Sequence, residues 1–220
     1  FNIQKFIMKK LPKINNIVKK YNLSAKKSLG QNYIFDLNLT EKIVESCGNL
    51  KNFTVVEIGP GPGSLTRSIL KSEVKKVVAI EIDSRFLNPL KDIKDHYPKK
   101  LKIIIDDFFN VNLSEHVKSP LKIISNLPYN RSVEILTSFL ETKKWPPNWS
   151  SLTFMFQKEV AERILAKENT KNYGRLSILS NWRTKPKKLF NIEPYSFKPS
   201  PKITSTLINF QPINNFSEVN

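Results

Sequence analysis

The chain of 220 residues has one cysteine, two histidines, two methionines and six glycines. A single thiol, Cys47, excludes an internal disulfide framework and any metal site built from several thiolates. Alone, it suits the role of a small buried hydrophobe. His96 and His116 lack ligand-like spacing and fit surface or loop positions. No apolar run approaches the ~18 residues of a membrane span. The opening segment lacks the roughly 7–15-residue apolar stretch of a secretory signal, and its basic residues are all Lys, unlike the Arg-rich and Ser-rich mitochondrial presequences. A reduced, cytoplasmic setting is therefore expected. Acid is also scarce: 19 Asp and Glu face 36 Lys and Arg, a net charge of +17.

Apolar residues make up 40% of the chain, with 14 Phe, enough for the core of one full domain. The charge is unevenly spread. Residues 1–30 carry eight Lys and no acid, and residues 165–202 carry nine basic residues against Glu168 and Glu193. Together they hold 15 of the 17 net charges, and residues 31–164 are close to balance. Two basic segments around a neutral middle resemble a polyanion footprint. Nucleic acid is favoured over a membrane surface, because no long amphipathic helix pairs a basic face with a strong apolar one.

Short apolar runs alternate with helical patterns, and no internal repeat interrupts them. Strands are expected over 53–58, 76–82, 102–105, 121–125 and 151–156, and helices over 64–72, 84–96, 132–140, 158–166 and 174–183. Runs 188–192 and 203–208 suit a closing antiparallel pair. This alternation predicts a doubly wound α/β sheet, with ligands bound at the carboxyl ends of its strands.

Four features fall at those ends. Glu57-Ile58-Gly59-Pro60-Gly61-Pro62-Gly63 follows the first strand, and Glu81 ends the second, where a carboxylate accepts hydrogen bonds from ribose hydroxyls. The prolines remove N–H donors that a pyrophosphate needs, so a phosphate-free nucleoside cofactor such as S-adenosyl-L-methionine is favoured over a dinucleotide. Asp107 ends the third strand, placed to receive an adenine amino group, with Phe108 beside it to stack on the ring. Asn126-Leu127-Pro128-Tyr129 follows the fourth. There the Asn126 side-chain oxygen and the Leu127 carbonyl can accept the two hydrogens of a base's exocyclic amine, Pro128 stiffens the turn, and Tyr129 offers a stacking face. Catalysis of this kind is positioning and electrostatics.

Ser28 to Tyr33, Glu57 to Gly63, Asn126 to Tyr129, Gln157 to Arg163, Tyr173 to Ser177 and Phe197 to Lys202 occur in this order. As an ordered set, over about Leu23 to Phe210, the chain resembles the small-subunit (16S) ribosomal RNA adenine N6,N6-dimethyltransferases. The resemblance implies a Rossmann-like class I methyltransferase with a mostly parallel seven-stranded sheet and helices on both faces. It implies transfer of methyl groups from S-adenosyl-L-methionine to two adjacent adenines in the 3′-terminal hairpin loop of small-subunit rRNA. The partner it implies is an immature 30S-type particle, with the enzyme a monomer and no metal or membrane involved. By motif, Asn32, Ile34, Gly59, Gly61, Glu81, Asp107 and Asn126 hold the cofactor. Asn126, Leu127, Pro128 and Tyr129 hold the target base, and Lys26, Lys27, Arg131, Arg163 and Arg175 contact RNA. The expected organisation is a basic segment over 1–30, the methyltransferase domain over 31–210, and at 211–220 the start of a helical domain largely absent from this chain.

Four positions depart from the family pattern. Tyr33-Ile34 replaces Phe-Leu, Asp106 replaces a glycine, and Arg131 stands at a commonly apolar position. Other readings are a 23S rRNA methyltransferase of the antibiotic-resistance type, a non-catalytic descendant resembling a mitochondrial transcription factor, and, more distantly, a nicotinamide-dependent oxidoreductase. Leu127 and the segments 157–163 and 173–177 favour the small-subunit enzyme.

Overall fold

A computed structural model describes residues 11–118 and 120–214. The chain opens with helix α1 (Ile14–Lys20), a two-residue strand β1 (Tyr33–Ile34) and helix α2 (Leu37–Ser46), whose first turn is capped by the Asp36 carboxylate accepting from Asn38 N at 2.9 Å. Strand and helix then alternate through β2 (Thr54–Ile58), α3 (Ser64–Lys71), β3 (Lys76–Glu81), α4 (Leu87–His96) and β4 (Leu101–Ile105). The one-turn α5 (Leu113–His116), β5 (Leu121–Ser125), α6 (Ser132–Leu140), β6 (Trp149–Gln157), α7 (Lys158–Ile164) and α8 (Arg175–Arg183) follow. The chain closes with β7 (Thr184–Ile192), the short β8 (Phe197–Lys198) and β9 (Ser205–Pro212).

The main sheet runs β4-β3-β2-β5-β6-β9-β7. Its first five strands are parallel, and β9 is antiparallel to both β6 and β7. This is the expected mostly parallel seven-stranded sheet. Strand order reverses between β2 and β5, so the turns after these strands diverge and leave a crevice at their carboxyl ends. A separate ribbon pairs β1 with β8, Tyr33 opposite Lys198.

Side chains alternate across the sheet, and both faces are covered, which is why the strands read as unbroken apolar runs. On one face Val55, Val77, Ala79 and Ile124 pack with Ile17 of α1, Ile43 of α2, Ile69 of α3 and Ile93 of α4. On the other, Val56, Val78, Ile80 and Ile123 pack with Leu136 of α6, Ile164 of α7 and Leu176 of α8.

Several elements differ from expectation. The helix expected over 84–96 is split: Asp83 caps a 3-10 turn, Ser84–Phe86, and α4 begins after it. The helix expected over 158–166 stops at Ile164. The α1 helix, whose apolar positions are set among the lysines of segment 1–30, is an element beyond those expected, as are α2 and the β1–β8 ribbon. That segment also supplies Ile14, Ile17 and Leu23 to the core, each 3% exposed or less. Its Lys5, Lys9 and Lys10 lie outside the described residues. At the far end β9 continues through Pro212, so the start of 211–220 is sheet, and residues 215–220 lie outside the described residues.

Cys47 is buried, its Sγ donating to Ile43 O at 3.1 Å, as a small apolar residue would sit. His96 and His116 are half-buried at helix ends. Among the described residues no helix is long and apolar enough to cross a membrane, and no group of three His, Cys, Asp or Glu is placed to hold a metal.

Ile17 is fully buried against residues contributed by α2 and α3, so α1 is part of the cooperative unit. Ile17→Ala is expected to lower the unfolding free energy by about 2–5 kcal/mol, read by urea denaturation. A loss under roughly 0.5 kcal/mol, the size of a neutral surface change, would show that α1 unfolds independently.

Candidate active site

Two adjoining hollows open at the carboxyl ends of β2 to β5, sharing Leu29, Gly59, Ile82 and Pro128. The first is lined by Asn32, Ile34, Glu57, Gly61, Glu81, Asn126 and Leu127 among others, the second by Ile58, Ile80, Asp107, Phe108 and Arg131 among others. The structure thus gathers every residue expected at the cofactor, together with most of the tetrapeptide.

The turn after β2 is built from glycines with positive φ: Gly59 at 69°, Gly61 at 54° and Gly63 at 85°. Side chains are excluded there for steric reasons as well. A Cβ on Gly63 would clash with Ile93 Cδ1, and one on Gly61 would press on the Tyr33 ring at 3.1 Å. Every N–H in the turn has a partner. Gly59 N donates to Ile80 O at 2.8 Å, Gly61 N to Glu81 Oε2 at 2.9 Å and Gly63 N to Pro60 O at 3.0 Å. The two prolines have none, so no backbone donor of this turn is left for a phosphate.

Glu81 is 3% exposed, and both its oxygens are held by backbone: Oε2 by Gly61 N and Oε1 by Asp83 N at 2.9 Å. Burial pushes its carboxyl up to about 7 despite these bonds. Glu57, on β2, is fully enclosed, and burial, with the charge of Glu81 adding to it, pushes its carboxyl up to about 8. Its Oε2 has no hydrogen-bond partner among the described residues, although the side chain lines the first hollow. Glu57 is not among the residues expected at the site. The usable signal was a carboxylate inside an otherwise apolar, two-sided strand, a place where charge rarely sits without a task. Ile82, 49% exposed and common to both hollows, was also missed, and nothing in its residue type marks it.

The N-terminal loop arches over this cleft. Gln31 donates to Asp83 Oδ2 at 3.1 Å, while its Oε1 accepts from Lys26 N at 2.8 Å and from the Tyr33 hydroxyl. Tyr33 therefore uses the oxygen that a Phe would lack. Asp83 is held down to about 2, chiefly by the Arg85 guanidinium 2.6 Å away. Asn126 Nδ2 donates to the Asn32 carbonyl at 2.8 Å, and because that carbonyl can only accept, the amide's orientation is fixed with Oδ1 unclaimed. The half-buried Tyr129 bonds through its hydroxyl to Ser205 Oγ, which braces one edge of its ring from β9.

After β4, Asp106 Oδ1 accepts from Asp107 N at 2.7 Å and Asn110 Nδ2 at 2.9 Å, so this aspartate organises the turn where a glycine was expected. Asp107 caps the next 3-10 turn, Phe108–Asn110. Phe108 lines the second hollow while packing on Phe109 and Phe139. Arg131 was expected among the RNA contacts. The structure instead pairs it with carboxylates: Nη1 lies 2.7 Å from Asp107 Oδ2 and Nε 3.2 Å from Glu134 Oε2. Lys26 is exposed near Gln31, and the side chain of Lys27 is outside the described ones. Arg163, in the last turn of α7, and Arg175, the first residue of α8, are both exposed, and the helices are joined there by Ser177 Oγ donating to Arg163 O.

Residues 22–220 match the model of the family described as ribosomal RNA adenine dimethylase. A "Ribosomal RNA small subunit methyltransferase A" of Rhizobium meliloti (strain 1021) is 48% identical over 203 residues, 92% of this chain and 74% of that protein. Among solved structures, a dimethyladenosine transferase from Plasmodium falciparum superposes with a TM-score of 0.72 at 29% identity, over 82% of this chain and 63% of that one. The 23S rRNA methyltransferase ErmE gives 0.67 at 22% identity, over 86% of this chain and 72% of that one, a likeness of fold.

The two buried carboxylates make stability pH-dependent. Their folded values of about 8 and 7 lie above the ordinary 4.5, so the folded chain binds more protons than the unfolded one between about pH 4.5 and 8, and stability falls as pH rises through that window. Glu57→Gln should therefore raise the melting temperature at pH 8.5 by about 2–4 °C for each kcal/mol recovered, with little gain at pH 5. Equal gains at both pH values would refute the assignment of a buried, proton-binding Glu57.

Proposed function

We propose that this chain, which belongs to the ribosomal RNA adenine dimethylase family, transfers methyl groups from S-adenosylmethionine to the N6 amines of two adjacent adenines in small-subunit rRNA. The observation that carries the reading is the Asn126 amide, anchored by Asn32 with its oxygen unclaimed, beside a glycine turn that keeps no donor for phosphate. Relatives at 48% identity carry the small-subunit name, whereas the 23S-type likeness at 22% identity is one of fold.

The donor set fits a zwitterionic, phosphate-free nucleoside. Glu81 retains acceptor capacity for ribose hydroxyls, since an ionised carboxylate offers about four lone-pair sites and two are taken. An ammonium group beside the unpartnered Glu57 Oε2 would favour the ionised form that burial opposes. Asp107, Ile82 and Phe108 frame a hollow for the base. When bound, S-adenosylmethionine supplies a methyl group made electrophilic by a sulfonium. The chain's own task is to present the amine. An exocyclic amine is a poor nucleophile because its lone pair is delocalised into the ring. Asn126 Oδ1 and the Leu127 carbonyl accept its two hydrogens and hold the nitrogen's lone pair toward the cofactor. Tyr129, braced by Ser205, stacks on a base drawn out of its loop. Lys26, Lys27, Arg163 and Arg175 offer positive charge to the phosphates. The acceptor is an immature small subunit.

The deciding experiment incubates labelled S-adenosylmethionine with small ribosomal subunits lacking the modification, with large subunits as control. Label recovered as dimethyladenine in small-subunit rRNA is expected, and label confined to large subunits would overturn the reading. Asn126→Ala should remove most transfer with cofactor affinity retained; unchanged turnover would refute its role. Glu81→Ala should weaken cofactor binding, at roughly 1.5–3 kcal/mol for each charge-assisted bond lost. Equal affinity would remove Glu81 from the ribose.

A further inference from the structure

We infer that Arg131 is a positioning residue for the cofactor's base: it fixes the Asp107 carboxylate as a pure acceptor, and so helps this chain distinguish a 6-amino from a 6-oxo purine. The inference rests on the placement of adenine at Asp107 proposed above.

Arg131 lies in the turn that joins the tetrapeptide to α6, twenty-four residues from Asp107 in sequence. Its guanidinium is anchored at three points: Asp107 Oδ2 at 2.7 Å, Glu134 Oε2 at 3.2 Å, and the ring of Phe109, whose centroid is 4.7 Å from the guanidinium carbon. Asp107 Oδ1 is engaged separately, by Phe109 N at 3.1 Å. One donor on each oxygen sets the carboxylate plane and leaves lone pairs for an exocyclic amine in the hollow that Asp107 and Arg131 both line. Without the guanidinium, a short aspartate at the head of a 3-10 turn is held by one bond and can rotate toward water.

The pairing also settles what the carboxylate can do. Ionised, Asp107 accepts only; it welcomes the N–H of a 6-amino group and repels a 6-oxo oxygen. The Arg131 guanidinium favours that ionised form, offsetting the partial burial that opposes it. A contact to RNA phosphate is the weaker assignment. Locally one guanidinium faces two carboxylates, those of Asp107 and Glu134, so the spot is not positive. Arg131 joins the Asp107 end of the cleft to the turn that carries Tyr129, its N bonded to Pro128 O at 3.0 Å.

The test titrates S-adenosylhomocysteine and S-inosylhomocysteine, which differ at the purine 6-position, into the full chain and its Arg131→Met and Arg131→Lys variants by calorimetry. The wild type should prefer the adenosyl ligand. Arg131→Met should lose about 3–5-fold in adenosyl affinity, the size of a half-exposed ion pair, with inosyl affinity held or improved. Arg131→Lys, which keeps the charge without the fork, should fall between. The salt dependence of binding to an RNA hairpin with two adjacent loop adenines should be the same in wild type and Arg131→Met. Equal losses for both ligands would overturn the inference in favour of general packing. Full discrimination retained, with the salt slope reduced by about one, would overturn it in favour of a phosphate contact. A wild type that does not discriminate would instead remove adenine from Asp107, and with it the underlying reading.

Discussion

The cleft depends on one buried carboxylate. Glu81 receives Gly61 N on one oxygen and Asp83 N on the other, which ties the turn after β2 to the turn after β3. From Asp83 the connection passes to Gln31, from Gln31 to the Lys26 backbone and the Tyr33 hydroxyl, and the Tyr33 ring returns to the face of Gly61 and the edge of Phe86. This closed circuit explains why the N-terminal loop can arch over the cleft without belonging to the main sheet. It also explains the cost. A carboxylate withdrawn from water is held in place only by backbone donors, and its remaining lone pairs are what a ribose would use. On the function proposed above, the group that shapes the cleft is also the group that would hold the cofactor's ribose.

The fold supplies the geometry around that circuit. At the reversal between β2 and β5, the glycine turn and the Asn126 turn leave neighbouring parallel strands in divergent directions, so an amide on one and a carboxylate on the next face a common space. The β1–β8 ribbon then joins the arch to the closing hairpin, whose Ser205 braces Tyr129. Parts of the chain as distant as Asn32, Asn126 and Ser205 are held in register by backbone pairing and single hydrogen bonds to fixed partners. For a reaction that is largely positioning, this rigidity is the contribution the protein can make.

How much of this was legible in the sequence follows from how local each feature is. Strand positions, the glycine turn, Glu81 and the tetrapeptide are written in contiguous runs, and the structure places them together. Glu57 was legible in principle, since a carboxylate within Val55-Val56-Glu57-Ile58 defies the apolar pattern. The α1 helix was obscured because its apolar positions are embedded among lysines, and charge drew the reading. The partners of Arg131 could not be read at all. Its residue type suits phosphate equally well, and only the packing of the loop after β4 against the start of α6 turns it onto Asp107.

On the function proposed above, the distribution of charge has a consequence for recognition. The molecule carries +17 overall, yet the acidic side chains Glu57, Glu81, Asp106 and Asp107 line its cleft. A cofactor with a sulfonium and an ammonium is welcome in such a space, and an RNA phosphate is not. Apart from Arg131, which is paired with Asp107 in the second hollow, the net positive charge lies elsewhere in the sequence, in residues 1–30 and 165–202. A polyanion drawn to those surfaces can bring only an uncharged part inside, and a nucleobase turned out of its loop is such a part. The separation of signs therefore does sorting that no single contact performs: phosphate stays at the basic surface, and the base alone reaches Asn126.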